Sequence, residues 1–339
     1  MEKQFDAISL GEVMLRFTPV GRERLCRATT LDSRAGGSEL NVMAGVAALG
    51  LKTAFATKLP VNAIRDYITG QMRTLGVDDC YVIDDTEEGA RVGTYYMETG
   101  ATPRKPSVVY DRKHSSVTRF RAEELPDSIY TNTKLFHTSG ITLALSDEVC
   151  KNATAVMKRF HESGALISFD VNYRANLWSE EKAKAAIEAV LPFVDFLFIS
   201  EESCRRMFGR TGELKDILKE FAKTYSLKVV ATTKRKINSP SSHDFTSLLY
   251  DAAADVFYTE EPYQNIEVVD RIGSGDAYVS GVLYAILSGY SMQQAVEYGN
   301  AMAAMKETVT GDFPCTSKRE IDALIKAHHS TGPQSEMNR

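Results

Sequence analysis

Short apolar runs alternate with longer segments of helical periodicity along most of this 339-residue chain. Residues 7–10 predict a strand, residues 40–49 a helix that ends at Gly50, and residues 53–57 the next strand. This alternation is typical of βαβ units, in which helices cover both faces of a mostly parallel sheet. The predicted fold class is therefore α/β.

A second pattern interrupts this alternation between about residues 80 and 121. Here short β-rich segments are joined by turn-rich pieces with few helical signals. We interpret residues 80–121, together with about 12–35, as a small β-sheet inserted into one domain that spans residues 1–330. The polar residues 331–339 are predicted to be a disordered tail.

Charge, hydropathy and cysteine usage exclude several classes of function. The formal net charge of −5 argues against nucleic acid as the main partner. No window approaches the roughly 20 apolar residues that span a bilayer, so we expect no membrane partner. The five cysteines are scattered, which is typical of reduced thiols rather than of disulfides or a zinc site. Since the first residues also lack the pattern of a signal peptide, we expect a cytoplasmic protein.

The most informative motif follows the last β-rich run: Asp270-Arg271-Ile272-Gly273-Ser274-Gly275-Asp276. Small residues at the start of a helix leave the backbone N–H groups free to bind an anion. A carboxylate beside them, here Asp276, can accept a proton from an attacking hydroxyl group. The alternative is a glycine-rich turn in which Asp276 only caps a helix. No G-x-x-x-x-G-K-[ST] motif occurs, so the chain is not a P-loop enzyme.

An earlier motif completes a resemblance to a known family. Together with residues 270–276, the segment Gly36-Gly37-Ser38-Glu39-Leu40-Asn41-Val42 resembles the two signatures of the ribokinase-like (pfkB) carbohydrate kinases. Within that family the chain is most similar to the 2-keto-3-deoxygluconate kinases. The closer similarity rests on three segments, residues 110–112, 170–178 and 199–202. The resemblance extends from about residue 8 to residue 324.

The resemblance implies a three-layer α/β/α sandwich with a small β-sheet lid, which often helps to build a homodimer. It also implies ATP as the phosphoryl donor and Mg²⁺ as a cofactor, and a monovalent cation is a further cofactor that the sequence leaves open. By position, Asp276 becomes the catalytic base. The other implied roles are an anion hole at Gly273, Ser274 and Gly275, nucleotide contacts from Gly273, Gly275 and Asn300, and sugar contacts from Gly37 and Asn41.

A sugar acid carries a carboxylate, and its selection over a neutral sugar requires a fixed cation, best an arginine. Arg174 follows the strand predicted at residues 165–169 and so falls at the carboxyl end of the sheet, where α/β proteins bind ligands. The resemblance implies that Tyr95, Tyr110, Arg112 and Arg174 contact a keto-acid. Alternatively, the two tyrosines pack on a sheet face, and either arginine is a surface residue.

The chain departs from the family pattern at the segment that orders Mg²⁺. Many members have Asn-x-x-Glu where this chain has Ser200-Glu201-Glu202-Ser203. Glu201 and Glu202 still supply carboxylates, so they are candidates to bind the metal through water.

Two further departures concern basic residues. Residues 234–244 are polar and turn-rich and predict a loop, which carries Lys234, Arg235 and Lys236. These cations either bind ATP phosphates or form a solvated charge run, and we favour the second interpretation. Arg271 stands where a small residue or Thr is common in the family, and the sequence assigns it no role.

Three hypotheses follow for function. The first is phosphorylation of 2-keto-3-deoxygluconate to its 6-phosphate, with the galacto epimer left open. The second is a kinase for a neutral sugar such as fructose or ribose. The third is a catalytically degenerate protein that binds a sugar acid and has a regulatory role.

Overall fold

The computed structural model of the protein describes residues 3–330, so the predicted tail at 331–339 lies outside the described residues. This part of the chain forms fifteen strands and ten α-helices. The strands are β1 Phe5–Leu10, β2 Met14–Pro19, β3 Leu31–Gly36, β4 Thr53–Pro60, β5 Val77–Asp78, β6 Val82–Asp85, β7 Gly93–Glu98, β8 Ser107–Asp111, β9 Thr133–Ser139, β10 Leu166–Asp170, β11 Phe196–Phe198, β12 Val229–Ser239, β13 Ser242–Asp251, β14 Val256–Thr259 and β15 Tyr263–Glu267. The helices are α1 Ser38–Ala48, α2 Ala63–Thr74, α3 Gly140–Ala144, α4 Asp147–Glu162, α5 Glu180–Val190, α6 Glu201–Arg206, α7 Leu214–Tyr225, α8 Ser274–Leu287, α9 Met292–Glu307 and α10 Lys318–His328.

Eleven strands form the large central sheet, in the order β14-β13-β12-β11-β10-β9-β1-β4-β5, with β15 paired to β13 and β6 paired to β4. The pairs from β12 through β5 are parallel, whereas β13 pairs antiparallel with β12, β14 and β15. The carboxyl ends of β1, β10, β11 and β12 therefore meet at one edge of the sheet. That edge is where ligands bind in α/β folds.

Helices cover both faces of this sheet. One hydrophobic core joins the sheet to α4, α5 and α7 and includes the buried Trp178, the only tryptophan of the chain. The other core joins the opposite face to α1, α2, α8 and α9. The predicted α/β class and three-layer α/β/α sandwich are thus confirmed. None of the described helices is both long enough and apolar enough to cross a membrane.

A separate sheet has the strand order β3-β2-β7-β8, so Met14–Pro19 joins the later β-rich strands as the sequence predicts. The inserted segment predicted at residues 80–121 is longer than the part that enters this small sheet. β6 lies within that segment, yet it pairs in parallel with β4 of the large sheet. The 3₁₀ turn Ser116–Arg119 also follows the small sheet's last strand rather than extending it.

The predicted loop at residues 234–244 is wrong. These residues form the turn end of a β-hairpin, in which β12 and β13 pair from Val229 opposite Asp251 to Ser239 opposite Ser242. The turn signal is confined to Pro240 and Ser241 at the tip. A solvent-exposed strand that carries basic residues resembles a loop in sequence, because it lacks the β-branched and aromatic residues that usually indicate a strand.

Candidate active site

Asp276 lies in the first turn of α8, and two side chains from α1 hold its carboxylate. Ser38 Oγ donates to Oδ1 at 2.8 Å, and Asn41 Nδ2 donates to Oδ2 at 2.6 Å. Asp276 is only 9% exposed, and burial raises the pKa of its carboxyl group, while the two hydrogen bonds oppose that rise. The carboxylate is therefore oriented and partly desolvated, as a general base requires.

The start of α1 approaches the chain after β1 closely enough to demand glycine. A Cβ atom added to Gly37 would lie 2.1 Å from the carbonyl oxygen of Glu12. The Gly37 N–H donates to Asn41 Oδ1 at 3.3 Å, which fixes the amide orientation of Asn41 so that its Nδ2 faces Asp276. The structure thus brings both predicted sugar-contact residues to the predicted base.

The glycine turn before α8 combines a constrained residue with an open one. Gly273 caps the helix at φ +84°, and an added Cβ would lie 2.1 Å from the carbonyl oxygen of Asp312. Gly275 has no atom within 4 Å of an added Cβ, so its backbone faces open space. With Ser274 between them, these residues form the N-terminus of α8, where helix N–H groups suit a phosphate; the Ser274 N–H itself donates to the carbonyl oxygen of Arg271 at 3.3 Å.

Two cavities adjoin at this turn. The first, which Asp276 lines and which we call the Asp276 cavity, has a volume of about 410 Å³. The second, which Ser200 lines and which we call the Ser200 cavity, has a volume of about 530 Å³. Five residues line both cavities and mark their junction: Asp170, Asn172, Arg174, Arg235 and Gly275. A group bound in one cavity could therefore be transferred to a molecule in the other across Gly275.

Asp170 ends β10 and is a site residue that the sequence did not single out. Asn172, at φ +35°, donates from its backbone N–H to Asp170 Oδ1 at 3.1 Å and from Nδ2 to Ser38 Oγ at 2.7 Å. A polar chain therefore runs from Asn172 through Ser38 to Asp276. Burial and the nearby Asp276 raise the pKa of Asp170 to about 7, while Arg174 opposes that rise. An acidic residue at the carboxyl end of a parallel strand was the signal available.

All four residues predicted to contact the keto-acid line the Asp276 cavity. Tyr95 is 3% exposed, donates from its hydroxyl to the Asp312 carboxylate, and stacks on Tyr110 with ring centroids 5.7 Å apart. The exposed Arg174 donates to the carbonyl oxygen of Tyr173 at 3.1 Å, and no carboxylate among the described residues pairs with it. Its charge is available to a ligand.

Arg112 differs from Arg174 because its charge is already paired. Its Nε donates to Glu12 Oε2 at 2.8 Å, and Nη2 donates to the same oxygen. Ser115 Oγ donates to Glu12 Oε1 at 2.5 Å, so both oxygens of this buried carboxylate have partners. Arg112 can therefore orient a ligand, but the net charge it shares with Glu12 is zero.

A buried ionic network, also missed from the sequence, joins the small sheet to the glycine turn. Arg16 on β2 pairs with Asp270 at 2.6 Å and with Asp312 at 2.7 Å. Lys306 is fully buried, donates to the carbonyl oxygens of Asp270 at 2.8 Å and Val309 at 3.3 Å, and has a pKa that burial lowers. These contacts fix the position of the glycine turn relative to the small sheet.

The two candidate metal carboxylates are engaged within their own helix. Glu201 pairs with Arg205 at 2.7 Å and Glu202 with Arg206 at 2.6 Å, both with i,i+4 spacing in α6. Glu202 lines the Ser200 cavity, but Glu201 does not. Within residues 3–330, no group of three or more His, Cys, Asp or Glu side chains could hold a metal ion.

Asn300 lies apart from both cavities. It is fully buried in α9, and its Nδ2 donates to Glu260 Oε2 at 2.9 Å. It lines neither the Asp276 cavity nor the Ser200 cavity. A contact between Asn300 and the nucleotide stays a prediction.

Residues 4–319 match the model of the pfkB family of carbohydrate kinases. The chain is 33% identical to the 2-dehydro-3-deoxygalactonokinase of Haloferax volcanii, covering 95% of this chain and 96% of the relative. It is 27% identical to the 2-dehydro-3-deoxygluconokinase of Bacillus subtilis, covering 94% of each chain. The crystal structure of the 2-dehydro-3-deoxygluconokinase of Thermotoga maritima superposes with a TM-score of 0.90 at 32% identity, covering 95% of this chain and 99% of that one.

The match therefore confirms the predicted family and its ribokinase-like fold. Members of a kinase family transfer a phosphoryl group from ATP with Mg²⁺, and a glycine turn, a buried carboxylate and two adjoining cavities suit that chemistry. By sequence, fold and site geometry, this chain is a member of the pfkB family of carbohydrate kinases.

Proposed function

We propose that this protein phosphorylates a 2-keto-3-deoxy sugar acid, foremost 2-keto-3-deoxygluconate, on its terminal hydroxyl to give the 6-phosphate. The observation that carries this proposal is the placement of Arg174, an exposed arginine that forms no salt bridge with the described residues, in the same cavity as Asp276. The names of the relatives from Haloferax volcanii and Bacillus subtilis support it, since both are keto-deoxy sugar acid kinases. The galacto epimer is an alternative substrate of the same class.

In the proposed reaction, Arg174 binds the substrate carboxylate and Tyr110 covers the sugar. Asp276 accepts the proton of the terminal hydroxyl, whose oxygen attacks the γ-phosphorus of ATP directly. Gly273, Ser274 and Gly275 direct N–H groups at the transferring phosphoryl group. Gly275 also opens to the Ser200 cavity, so the residues present fit a nucleotide there. Mg²⁺ bound with ATP would supply further positive charge there, and Glu202, which lines the Ser200 cavity, would hold its water shell.

Arg112 and Lys306 bear on two open parts of this proposal. Because Glu12 already neutralises Arg112, a kinase for a neutral sugar such as fructose or ribose remains the second candidate. A monovalent cation is proposed as an activator rather than an essential cofactor, since the buried Lys306 already brings a positive charge to the loop carbonyls.

The proposal includes an assembly and a location. The small sheet closes over the Asp276 cavity as a lid and joins two copies of the chain into a dimer. Exposed apolar residues on its edge strands support an interface, with Val109 57% and Leu31 37% exposed. The proposed location is the cytoplasm.

The product identifies the reaction directly. We expect ³¹P NMR of a mixture of protein, Mg-ATP and 2-keto-3-deoxygluconate to show a new phosphomonoester signal. Coupling of that signal to two protons would place the phosphate on the terminal CH₂ group. A signal coupled to one proton, or ADP and inorganic phosphate without any ester, would contradict the proposal. The same mixture with Asp276→Asn is the control.

A further inference from the structure

Two arginines beside the glycine turn are not used by the reaction described above. Arg235 lies on β12 and lines both the Asp276 cavity and the Ser200 cavity. Arg271 lies two residues before Gly273 and lines the Asp276 cavity. Among the described residues, no carboxylate forms an ion pair with either guanidinium group. The site therefore holds two further unpaired cations beside the anion-binding turn.

Arg235 and Arg271 line the same cavity, so their like charges face one common space. Partial burial and the positive charge of Arg271 lower the pKa of Arg235, and Glu307 only partly offsets this. Like charges that line one cavity repel each other, and an anion bound between them would offset that repulsion. An arrangement that is unfavourable without a ligand and favourable with an anion points to function.

The proposed reaction brings two anions to the site, the sugar carboxylate and the phosphoryl group of ATP. The position of Arg235 and Arg271 indicates which of the two they bind. A sugar carboxylate already has Arg174 as a cation without an ionic partner. Arg235 reaches the junction from β12 of the large sheet, whereas Arg271 lines the Asp276 cavity from the turn that leads into α8. Gly275, which lines both cavities, lies at the point where a phosphoryl group must cross.

We propose that Arg235 and Arg271 form a two-arginine clamp on the phosphoryl group that crosses from nucleotide to sugar at Gly275. This inference rests on the proposed function. In the step, the bond between the γ-phosphorus and the oxygen bridging to the β-phosphate breaks, and its electron pair leaves with ADP. The sugar oxygen forms the new bond to phosphorus, and its proton goes to Asp276. Both arginines stay protonated and contact the non-bridging oxygens, on which negative charge is concentrated.

Neighbouring lysines on the same strand provide matched controls. Side chains alternate between the two faces of a strand, so Lys234 and Lys236 point away from the face of Arg235. Lys236 lies 3.7 Å from Asp244 on β13, and it lines neither the Asp276 cavity nor the Ser200 cavity. Lys236→Met thus removes one charge from the same hairpin without touching the junction.

The test compares the full-length wild type with Arg235→Met, Arg271→Met, the double variant and Lys236→Met. The probes are the Mg²⁺ complexes of β,γ-imido-ATP and of ADP, with binding measured by calorimetry. We expect each single variant to raise the Kd of the imido analogue about tenfold or more and that of ADP less than about threefold, because only the analogue carries the γ-phosphoryl group. The unfolding temperature of the free protein should stay level or rise, since the repulsion is removed.

Steady-state kinetics complete the test. We expect kcat to fall at least about 100-fold in the single variants while KM for the sugar stays nearly constant. An unchanged ratio of analogue to ADP affinity would overturn the clamp. A higher KM for the sugar acid with unchanged nucleotide affinity would overturn it too, by assigning the pair to the carboxylate. If the affinity ratio shifts as expected but sugar acids are not phosphorylated, the clamp stands and the substrate assignment fails.

Discussion

At Asp276, burial and hydrogen bonding act in opposite directions on one carboxyl group. Burial raises its pKa, whereas Asn41 and Ser38 stabilise the ionised form. The base is thereby oriented without being neutralised by a salt bridge. A carboxylate in that state can take a proton from a hydroxyl that is already bound.

Replacing this one carboxylate tests its role. We expect Asp276→Asn to lower kcat by about 10²–10⁴-fold with little change in KM, because a general base contributes about that factor. Asp147→Asn is the matched control, since Asp147 also lies in the first turn of a helix but its side chain is 87% exposed. Near-normal kcat in Asp276→Asn would remove the residue from this role.

The raised pKa of Asp170 makes the folded protein less stable as the pH rises. Its folded pKa of about 7 lies above the ordinary value of 3.8, so the folded protein binds more protons than the unfolded chain between these values. The stability it contributes is fully present below about pH 4 and is lost as pH rises through 7.

From this shift we expect the unfolding free energy of the wild type to fall by about 2–3 kcal/mol between pH 5 and pH 8 through Asp170. Asp170→Asn should lack that part of the slope. Urea denaturation at the two pH values measures the difference. Equal slopes in the two proteins would show that Asp170 is ionised throughout this range.

The Arg112–Glu12 pair is a second place where one residue decides stability. Arg112→Ala leaves the buried Glu12 carboxylate without its cation, so we expect a loss of about 3–5 kcal/mol in unfolding free energy. Adding Glu12→Gln should recover part of the loss. Arg205→Ala removes an exposed pair instead and should cost less than about 1 kcal/mol. An equal loss of unfolding free energy in Arg112→Ala and Arg205→Ala would show that the buried pair stabilises the fold no more than an exposed one.

At the scale of an element, two glycines at the start of α8 have different roles: Gly273 is required for the fold, and Gly275 is required for the reaction. Gly273→Ala meets a backbone oxygen at 2.1 Å and a positive φ, so we expect strong destabilisation. In Gly275→Ala the added Cβ has no atom within 4 Å, so the unfolding free energy of the variant should stay level or rise by up to about 1 kcal/mol. Its methyl group would enter the junction, so kcat should still fall. Melting curves and ADP release measure both effects, and unchanged kcat in Gly275→Ala would place the transfer elsewhere.

Helix boundaries were the elements most accessible from sequence, because capping residues mark them locally. Ser146 and Ser179 accept N–H bonds at the starts of α4 and α5, the position at which serine is a preferred capping residue. The β12–β13 hairpin was not accessible in this way. Its residues at 234–238 are exposed and begin with three basic side chains, and their strand conformation depends on pairing with β13.

At the scale of the molecule, local motifs indicated Asp276, its glycine turn, Asn41 and Arg174. The partners that complete the site come from distant parts of the chain. Arg16 and Asp312 are 296 residues apart, and Asn172 reaches Ser38 across 134 residues. Contacts of that kind depend on how two sheets and several helices pack together, and spacing along one sequence does not encode them.

Substrate choice also belongs to the whole molecule, because the small sheet supplies Tyr95 and Tyr110 and the large sheet positions Arg174. The most direct test is a coupled ADP-release assay with Mg-ATP against 2-keto-3-deoxygluconate, its galacto epimer, fructose and ribose. We expect turnover with the keto-acids and a kcat/KM at least about 100-fold lower with the neutral sugars, since the latter lack the carboxylate that Arg174 binds. Turnover with fructose or ribose alone, or with none of the four, would contradict the assignment.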